Sequence, residues 1–221
     1  MNREEIKSIY RKRARHYNLT ANLYYLVGYR EFMYRNKAVN SLNLKLGDKV
    51  VDICCGTGLN FQFLEDKVGP NGKIIGVDLT DAMLERAKER VNKNGWGNVE
   101  LVQSDACEYN FPKNVNGVLT TYALSLVPNY DKVVGNAYGA LVPGGRFVDM
   151  SIKMPDNFLK HFRYILFPLV RPFGDPEEYI NIRTWESVET HFDKHDFKEF
   201  FWGITYISVG EKSIRDKNDF I

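Results

Sequence analysis

The residues with the clearest chemical potential lie in one short stretch, VVDICCGTGLNF, at residues 50–61. Within it an acid, Asp52, is followed by two cysteines and by a glycine–threonine–glycine turn at residues 56–58. Glycines let a backbone approach a ligand closely and adopt angles that other residues avoid. The stretch could therefore be a phosphate loop, a metal or redox site, or a loop for a nucleoside cofactor.

Two of these three alternatives lack residues that they require. A phosphate loop of the Walker type ends in Lys and Ser or Thr, which do not follow Gly58, and the pattern GxGxxG needs a glycine where Phe61 stands. Cys54 and Cys55 are adjacent, without CxxC spacing or a His/Cys pair at ligand spacing, so no metal site is expected. We interpret these cysteines as small, buried residues at the end of a strand.

Two further acids end later apolar runs. Asp78 ends KIIGVD, twenty residues beyond Gly58, and Asp105, followed by Ala106, ends VELVQSD. An acid after the second strand of a nucleotide-binding sheet can accept hydrogen bonds from both ribose hydroxyls. A carboxylate and a backbone amide at residues 105–106 can contact the edge of an adenine. These residues indicate a nucleoside site.

The elements that must position these acids alternate between strand and helix. We predict strands over 49–55, 73–79, 99–105, 117–123 and 146–151, with helices over 59–68, 80–95 and 130–141. Such alternation is typical of a doubly wound α/β fold, whose ligands lie outside the carboxyl ends of the strands. A helix over 184–196 and two strands in FKEFFWGITYISVG predict an antiparallel edge. The expected fold is a mostly parallel, seven-stranded sheet preceded by N-terminal helices.

Length and charge restrict the classes of protein. The chain has 221 residues and a net charge of +2, which fits one soluble domain without a global field for nucleic acid. Residues 1–17 carry six basic and two acidic side chains. This basic segment could meet an anionic surface, such as membrane or RNA, or be a solvated helix face. No secretory signal is recognised, and the apolar run at 164–170 is too short to span a bilayer, so we expect a cytoplasmic protein, peripheral at the membrane if at all.

The loop residues together resemble the class I S-adenosylmethionine-dependent methyltransferases. The resemblance is carried by VVDICCGTG, GVDLTDAML, VQSDACEYNFP, TTYALSLVPNY and LVPGGRFVDM, which span about residues 46–152. It implies an enzyme with S-adenosylmethionine as cofactor. TTYAL lacks the Asn/Asp-Pro-Pro-Tyr/Phe element of amino-methylases of bases and the acids that hold magnesium in catechol methylases, so nucleic acid is an unlikely substrate and no metal is expected.

The same resemblance assigns residues to the cofactor. The glycine loop would meet the methionine portion, Asp78 the ribose, Leu79 and Met83 the ribose and adenine, and Asp105 with Ala106 the adenine. Tyr122 would face the methyl group. The predicted cofactor residues are Tyr17, Arg30, Asp52, Cys54, Gly56, Thr57, Gly58, Asp78, Leu79, Met83, Asp105, Ala106 and Tyr122.

The N-terminal segment narrows the resemblance. HYNLTANLYYLVGYREFMYRNKAV is similar to the entry segment of ubiquinone/menaquinone-biosynthesis C-methyltransferases, with Tyr17-Asn18 for Tyr-Asp and Tyr29-Arg30 for His-Arg. TYALSLVPNY also resembles bacterial phospholipid N-methyltransferases. Residues 1–46 are therefore expected to form a helical lid, and residues 153–196, rich in aromatic side chains, an acceptor-side insertion and helix.

These similarities leave the acceptor open between two chemistries. We favour N-methylation of a small amphipathic or lipid-associated amine, where tyrosine faces could attract a cation. The alternative is C-methylation of a quinol, which needs a base, and the candidates for it include His16, Tyr17 and His161. A cofactor-binding protein without catalysis, or one associated with RNA, is the remaining possibility. The oligomeric state is not predicted.

Overall fold

A computed structural model describes residues 3–13, 28–155 and 181–214 of the chain. Its centre is a seven-stranded sheet of order β3-β2-β1-β4-β5-β7-β6. The strands β1 to β5 are parallel, and β7 pairs antiparallel with both β5 and β6. The strands are β1 Lys49–Ile53, β2 Lys73–Asp78, β3 Val99–Gln103, β4 Val115–Thr121, β5 Leu141–Ile152, β6 Lys194–Phe200 and β7 Thr205–Glu211. The expected doubly wound sheet with an antiparallel edge is confirmed.

The helices of the described ranges lie on the two faces of this sheet. They are α1 Arg3–Arg13, α2 Glu31–Ser41, α3 Phe61–Val68, α4 Asp81–Asn94, α5 Tyr130–Ala140 and α6 Thr184–His191. Side chains of β1 alternate between the faces: Val51 packs in a cluster with Val133 of α5, and Val50 packs in another with Ala38 of α2. Burial on both faces explains why the central strands are continuous apolar runs. Among the described residues, none of these helices is long and apolar enough to cross a membrane.

Two predicted boundaries were wrong by five residues, and long-range pairing explains both. The helix expected over 184–196 ends at His191, because residues 194–200 form β6 and pair with β7, where Phe197 stacks on Tyr206 at a centroid distance of 5.5 Å. Strand β5 begins at Leu141 rather than at residue 146, with a register shift that accommodates the Pro-Gly-Gly turn. Thr80 precedes α4 at the N-cap position, but its side chain makes no capping hydrogen bond.

Phe61, at the start of α3, sets the distance between that helix and the glycine loop. A Cβ atom at Gly58 would lie 2.5 Å from Cε2 of Phe61, and a Cβ atom at Gly76 in β2 would lie 2.6 Å from its Cζ. The aromatic ring therefore fills the space that side chains at both glycines would need. The ring of Phe61 thus packs between the glycine loop and β2.

We expect the Gly76→Ala variant to lose about 1–3 kcal/mol of unfolding free energy, because the added methyl group overpacks Phe61 and Cys55. Gly139→Ala is the matched control. Gly139 is exposed in α5, and a Cβ atom there would meet no heavy atom within 4 Å, so alanine should be neutral or slightly stabilising. Urea unfolding of both variants measures the difference, and equal free energies would contradict the packing described for Phe61.

Candidate active site

A cleft opens at the carboxyl ends of β1 to β4, where a doubly wound sheet binds its ligands. It encloses about 800 Å³ of empty space, including the part open to solvent. The residues that line it are Tyr10, Cys54, Gly56, Val77, Asp78, Leu79, Thr80, Met83, Ser104, Asp105, Ala106, Thr121, Tyr122, Ala123, Leu126, Val127 and Pro128.

Asp78, at the end of β2, joins the glycine loop to the start of α4. Its Oδ2 accepts a hydrogen bond from the backbone N–H of Gly56 at 2.8 Å, and its Oδ1 accepts one from Thr80 at 2.8 Å. Burial raises the pKa of this carboxyl, and the two backbone donors oppose that rise. A carboxylate can accept further hydrogen bonds beyond these two. Asp78 can therefore hold the loop and still accept hydrogen bonds from a ligand in the cleft.

The two cysteines of the loop are structural rather than nucleophilic. Cys54 has a left-handed backbone with φ 56°, and the N–H of Cys55 donates to the carbonyl of Val77 at 3.0 Å. Burial raises the pKa of both thiols well above the ordinary value, so the thiolate form that reacts is disfavoured. In the described residues no group of three His, Cys, Asp or Glu side chains could hold a metal ion.

The other two sides of the cleft come from the loops after β3 and β4. Oδ1 of Asp105 accepts a hydrogen bond from the N–H of Cys107 at 2.8 Å, which fixes the turn that carries Ala106. Tyr122 follows β4 with a left-handed φ of 58°, and its N–H donates to the carbonyl of Met150 in β5 at 2.6 Å. Bulky residues adopt this conformation only where the surroundings enforce it.

The structure brings most of the predicted cofactor residues to the cleft, but not all of them. Cys54, Gly56, Asp78, Leu79, Met83, Asp105, Ala106 and Tyr122 line it, whereas Arg30, Asp52, Thr57 and Gly58 are not among the lining residues. Arg30 is exposed ahead of α2 and Asp52 is fully buried behind the loop. Tyr17, His16 and His161 lie outside the described residues.

A buried polar network behind the glycine loop was not predicted, and Arg35 of α2 is its centre. The guanidinium is only 4% exposed. Its Nε and Nη2 each lie 2.7 Å from Oε1 of Glu31, one helical turn earlier. Its Nη1 donates to Oδ1 of Asn60 at 3.0 Å and to Oγ1 of Thr121 at 2.5 Å. The network thus connects α2, the start of α3 and the end of β4.

Asn60 extends the network to Asp52. Its amide donates to Oδ1 and Oδ2 of Asp52 at 3.0 and 3.1 Å, and also to Thr121 at 3.0 Å. Burial raises the pKa of Asp52 to about 7, although Asn60 and the charge of Arg35 both favour ionisation. Asp52 therefore changes charge near neutral pH, inside the fold rather than in the cleft.

A chain of hydroxyl groups lies beside this network. The hydroxyl of Tyr29 is 2.5 Å from that of Tyr122 and 2.9 Å from Oγ1 of Thr205, the first residue of β7. The guanidinium carbon of Arg35 lies 4.9 Å from the ring centroid of Tyr122. Burial raises the pKa of both tyrosines, so both remain neutral phenols at pH 7.

Helix α1 reaches the side of the cleft where α4 begins. Tyr10 lines the cleft, and Arg11 forms two hydrogen bonds to Asp81 at the start of α4, at 2.9 and 2.8 Å. The hydrogen bonds from Arg11 lower the pKa of Asp81 to about 2. In the sequence Arg11 is only one of several basic residues near the N-terminus, and its partner could not be predicted because it lies 70 residues away.

The opposite face of the sheet holds another buried carboxyl, Asp149 of β5. Its Oδ2 accepts hydrogen bonds from Thr184 and Tyr206 at 2.5 and 2.9 Å, and its Oδ1 is buried without a partner. Burial raises the pKa of Asp149 to about 6. This carboxyl is not among the residues that line the cleft.

The strand order, the glycine loop after β1 and the acid after β2 define a class I S-adenosylmethionine-dependent methyltransferase. Residues 1–214 match the ubiE/COQ5 methyltransferase family. The chain belongs to that family, and the enzyme uses S-adenosylmethionine as its methyl donor. The predicted enzyme class and cofactor are thus confirmed.

Three known proteins show how far the similarity extends. Demethylmenaquinone methyltransferase of Geobacillus kaustophilus is 27% identical over 218 residues, which cover 95% of this chain and 91% of that protein. The crystal structure of a methyltransferase from Aquifex aeolicus has a TM-score of 0.63 at 21% identity, covering 80% and 88% of the two chains. A phosphoethanolamine N-methyltransferase of Haemonchus contortus has a TM-score of 0.62 at 18% identity, covering 77% and 50%. The two structures are similar to this chain in fold.

We expect Asp78→Ala to weaken binding of S-adenosylhomocysteine by well over tenfold. The change removes the acceptor that holds Gly56 and Thr80 and, with it, the predicted acceptor for the ribose hydroxyls. Titration calorimetry measures the affinity. Asp66→Ala, an exposed acid on α3, is the control and should bind as the wild type does. Equal affinities for wild type and Asp78→Ala would refute the assignment of Asp78, at the end of β2, to the cofactor site.

The raised pKa of Asp52 predicts how stability depends on pH. The folded protein holds this proton up to about pH 7, whereas the unfolded chain releases it near pH 4. The stability from that proton is thus complete below about pH 4 and is lost as pH rises through about 7. Asp52→Asn cannot titrate, so its stability should not fall in this way. In thermal unfolding, the melting temperature of the variant should rise relative to that of the wild type between pH 5 and 8. Asp66 is exposed, and the melting temperature of Asp66→Asn should depend on pH as that of the wild type does. The same pH dependence for Asp52→Asn would exclude a contribution of Asp52 to the pH dependence of stability.

Proposed function

We propose that this enzyme transfers the methyl group of S-adenosylmethionine to a ring carbon of a quinol. The observation that carries the proposal is the match to a demethylmenaquinone methyltransferase across 95% of this chain. The chemistry replaces one ring hydrogen by methyl and releases one proton. This reverses the order favoured from the sequence, which placed an amine acceptor first.

The cleft residues support a defined orientation of the cofactor. Asp78 would accept hydrogen bonds from the ribose, and Asp105 with Ala106 would contact the adenine. Leu79 and Met83 would pack against the nucleoside, because both line the cleft beside Asp78. The methionine portion would then lie along Cys54 and Gly56, supported from behind by Asp52, Thr57 and Gly58. The bound cofactor supplies a methyl group that is already activated, so the protein contributes mainly alignment and exclusion of water.

Helix α1 supports the proposal of a lid at residues 1–46. Tyr10 faces the cleft, and the bidentate contact between Arg11 and Asp81 ties the helix to the start of α4. An exposed ion pair contributes little to stability, because solvent screens it, so such a contact can break to admit a ligand. The part of the proposed lid at residues 14–27, and most of the proposed acceptor-side insertion, lie outside the described residues.

The chemistry around Tyr122 favours a neutral acceptor over a cationic headgroup. Aromatic recognition of an ammonium group requires an open ring face. One face of Tyr122 is near the guanidinium of Arg35, at 4.9 Å from the ring centroid. The guanidinium already occupies that face, so a substrate ammonium group cannot use it, whereas a neutral quinol ring does not need it. An amine acceptor is therefore the second candidate.

The proton of a quinol needs a base, and three candidates among the described residues are unsuitable. Burial raises the pKa of Tyr29 and Tyr122, so neither phenol removes protons at neutral pH. Asp52 titrates near pH 7, but it is buried behind the glycine loop. His16, Tyr17 and His161 remain predictions for this role. The cytoplasmic location and the presentation of the acceptor at an anionic membrane surface also remain predictions.

The purified enzyme should methylate 1,4-naphthohydroquinone under reducing conditions, with a mass gain of one methyl group bound to carbon. Phosphoethanolamine and phosphatidylethanolamine vesicles, offered in parallel, should remain unchanged. Mass spectrometry and NMR identify the product and the atom that carries the methyl group, and Asp78→Ala controls for activity independent of the cleft. Methylation of the amines but not of the quinol would replace our proposal by the second candidate.

A further inference from the structure

We infer that the hydroxyl chain Thr205–Tyr29–Tyr122 recognises a ring oxygen of the acceptor, with Tyr29 acting as a positioning residue through Tyr122. The inference rests on the proposed function and names the group that would bind the hydroxyl oxygen of the quinol, or the carbonyl oxygen of the corresponding quinone. The three residues come from β7, from the segment before α2 and from the loop after β4.

The geometry makes Tyr122 the end of the chain that faces the cleft. Tyr122 lines the cleft together with its neighbours Thr121 and Ala123, on the loop after β4. Tyr29 is buried behind it and does not line the cleft. Asp105 lies on the loop after β3, and the sheet order separates β3 from β4 by β2 and β1. If the adenine lies at Asp105, the transferred methyl group must lie toward Tyr122.

Proton counting shows what the chain can offer a ligand. Each hydroxyl has one proton, and the chain can run from Thr205 to Tyr122 or in the reverse direction. In the first case Tyr122 keeps its own proton to donate. In the second it donates to Tyr29 and keeps lone pairs to accept. Since both phenols are neutral, the chain suits an uncharged oxygen that donates or accepts, such as a quinol hydroxyl.

The backbone and the ring of Tyr122 are both fixed by specific contacts. Its left-handed backbone is fixed by the hydrogen bond from its N–H to Met150 at 2.6 Å, and the guanidinium of Arg35 lies near its ring. Tyr29 is in turn packed between Tyr34 and Phe201, each with a centroid distance of 5.2 Å. A strained residue at the mouth of a site indicates that its position has a function.

The test compares Tyr29→Phe with Tyr34→Phe, which also loses one hydroxyl from a buried ring but leaves the chain complete. Tyr29→Phe should raise KM for 1,4-naphthohydroquinone about five- to tenfold, the value of one hydrogen bond. The dissociation constant of 1,4-naphthoquinone, measured by tryptophan quenching with S-adenosylhomocysteine bound, should rise equally. Affinity for S-adenosylhomocysteine alone should change less than twofold, and Tyr34→Phe should match the wild type in every measurement.

A double variant separates positioning from packing. If Tyr29 acts through Tyr122, the loss in the Tyr29→Phe/Tyr122→Phe variant should equal that of Tyr122→Phe alone. Additive losses, an unchanged quinone affinity in Tyr29→Phe, or an equal loss of cofactor affinity would overturn the inference while the proposed function stood. A wild-type enzyme that binds S-adenosylhomocysteine but neither binds nor methylates the naphthalene probes would overturn both.

Discussion

The buried guanidinium of Arg35 is the constraint on which the organisation of this site depends. A buried charge is tolerated only when its donors are satisfied and its charge is paired. Glu31 supplies the opposite charge, and Asn60 and Thr121 accept the remaining hydrogen bonds. These partners belong to α2, to the start of α3 and to the end of β4. The hydrogen bonds and the ion pair of Arg35 thus fix the relative position of three elements at the cleft.

Hydrogen bonds of this network hold the glycine loop and Tyr122 in position. Asn60, which is held by Arg35, also donates to Asp52 and so connects the two ends of the glycine loop. Cys54 and Gly56 of this loop line the cleft. Thr121, which accepts from the same guanidinium, directly precedes Tyr122. The methionine side and the acceptor side of the proposed site are therefore coupled through shared hydrogen bonds. A change at either Glu31 or Arg35 would disturb both sides at once.

Among the residues predicted from the sequence, those that line the cleft are mostly ones whose position depends on local order. Asp78 and Asp105 follow strands, and a strand end at the sheet edge defines where each carboxyl lies. Arg35 was missed, and Arg30, which was predicted as a cofactor residue, is exposed and does not line the cleft. Arg30 precedes α2 and is exposed, whereas Arg35 lies within the helix and is buried, and only tertiary packing decides this difference. The partners Asn60 and Thr121 lie 25 and 86 residues away from Arg35, beyond the reach of any periodicity.

The electrostatics of the described part of the site indicate alignment rather than proton transfer. The ionisable groups with raised pKa near neutrality, Asp52 and Asp149, lie behind the loop and on the opposite face of the sheet, whereas the tyrosines beside the cleft stay neutral. Methyl transfer from a sulfonium loses little by this, because its barrier falls mainly with proximity and exclusion of water. A quinol carbon, however, becomes a stronger nucleophile only when its ring hydroxyl is polarised or deprotonated. A fixed, neutral phenol that hydrogen-bonds this hydroxyl can orient the ring for attack and leave the final proton to solvent or to a separate base.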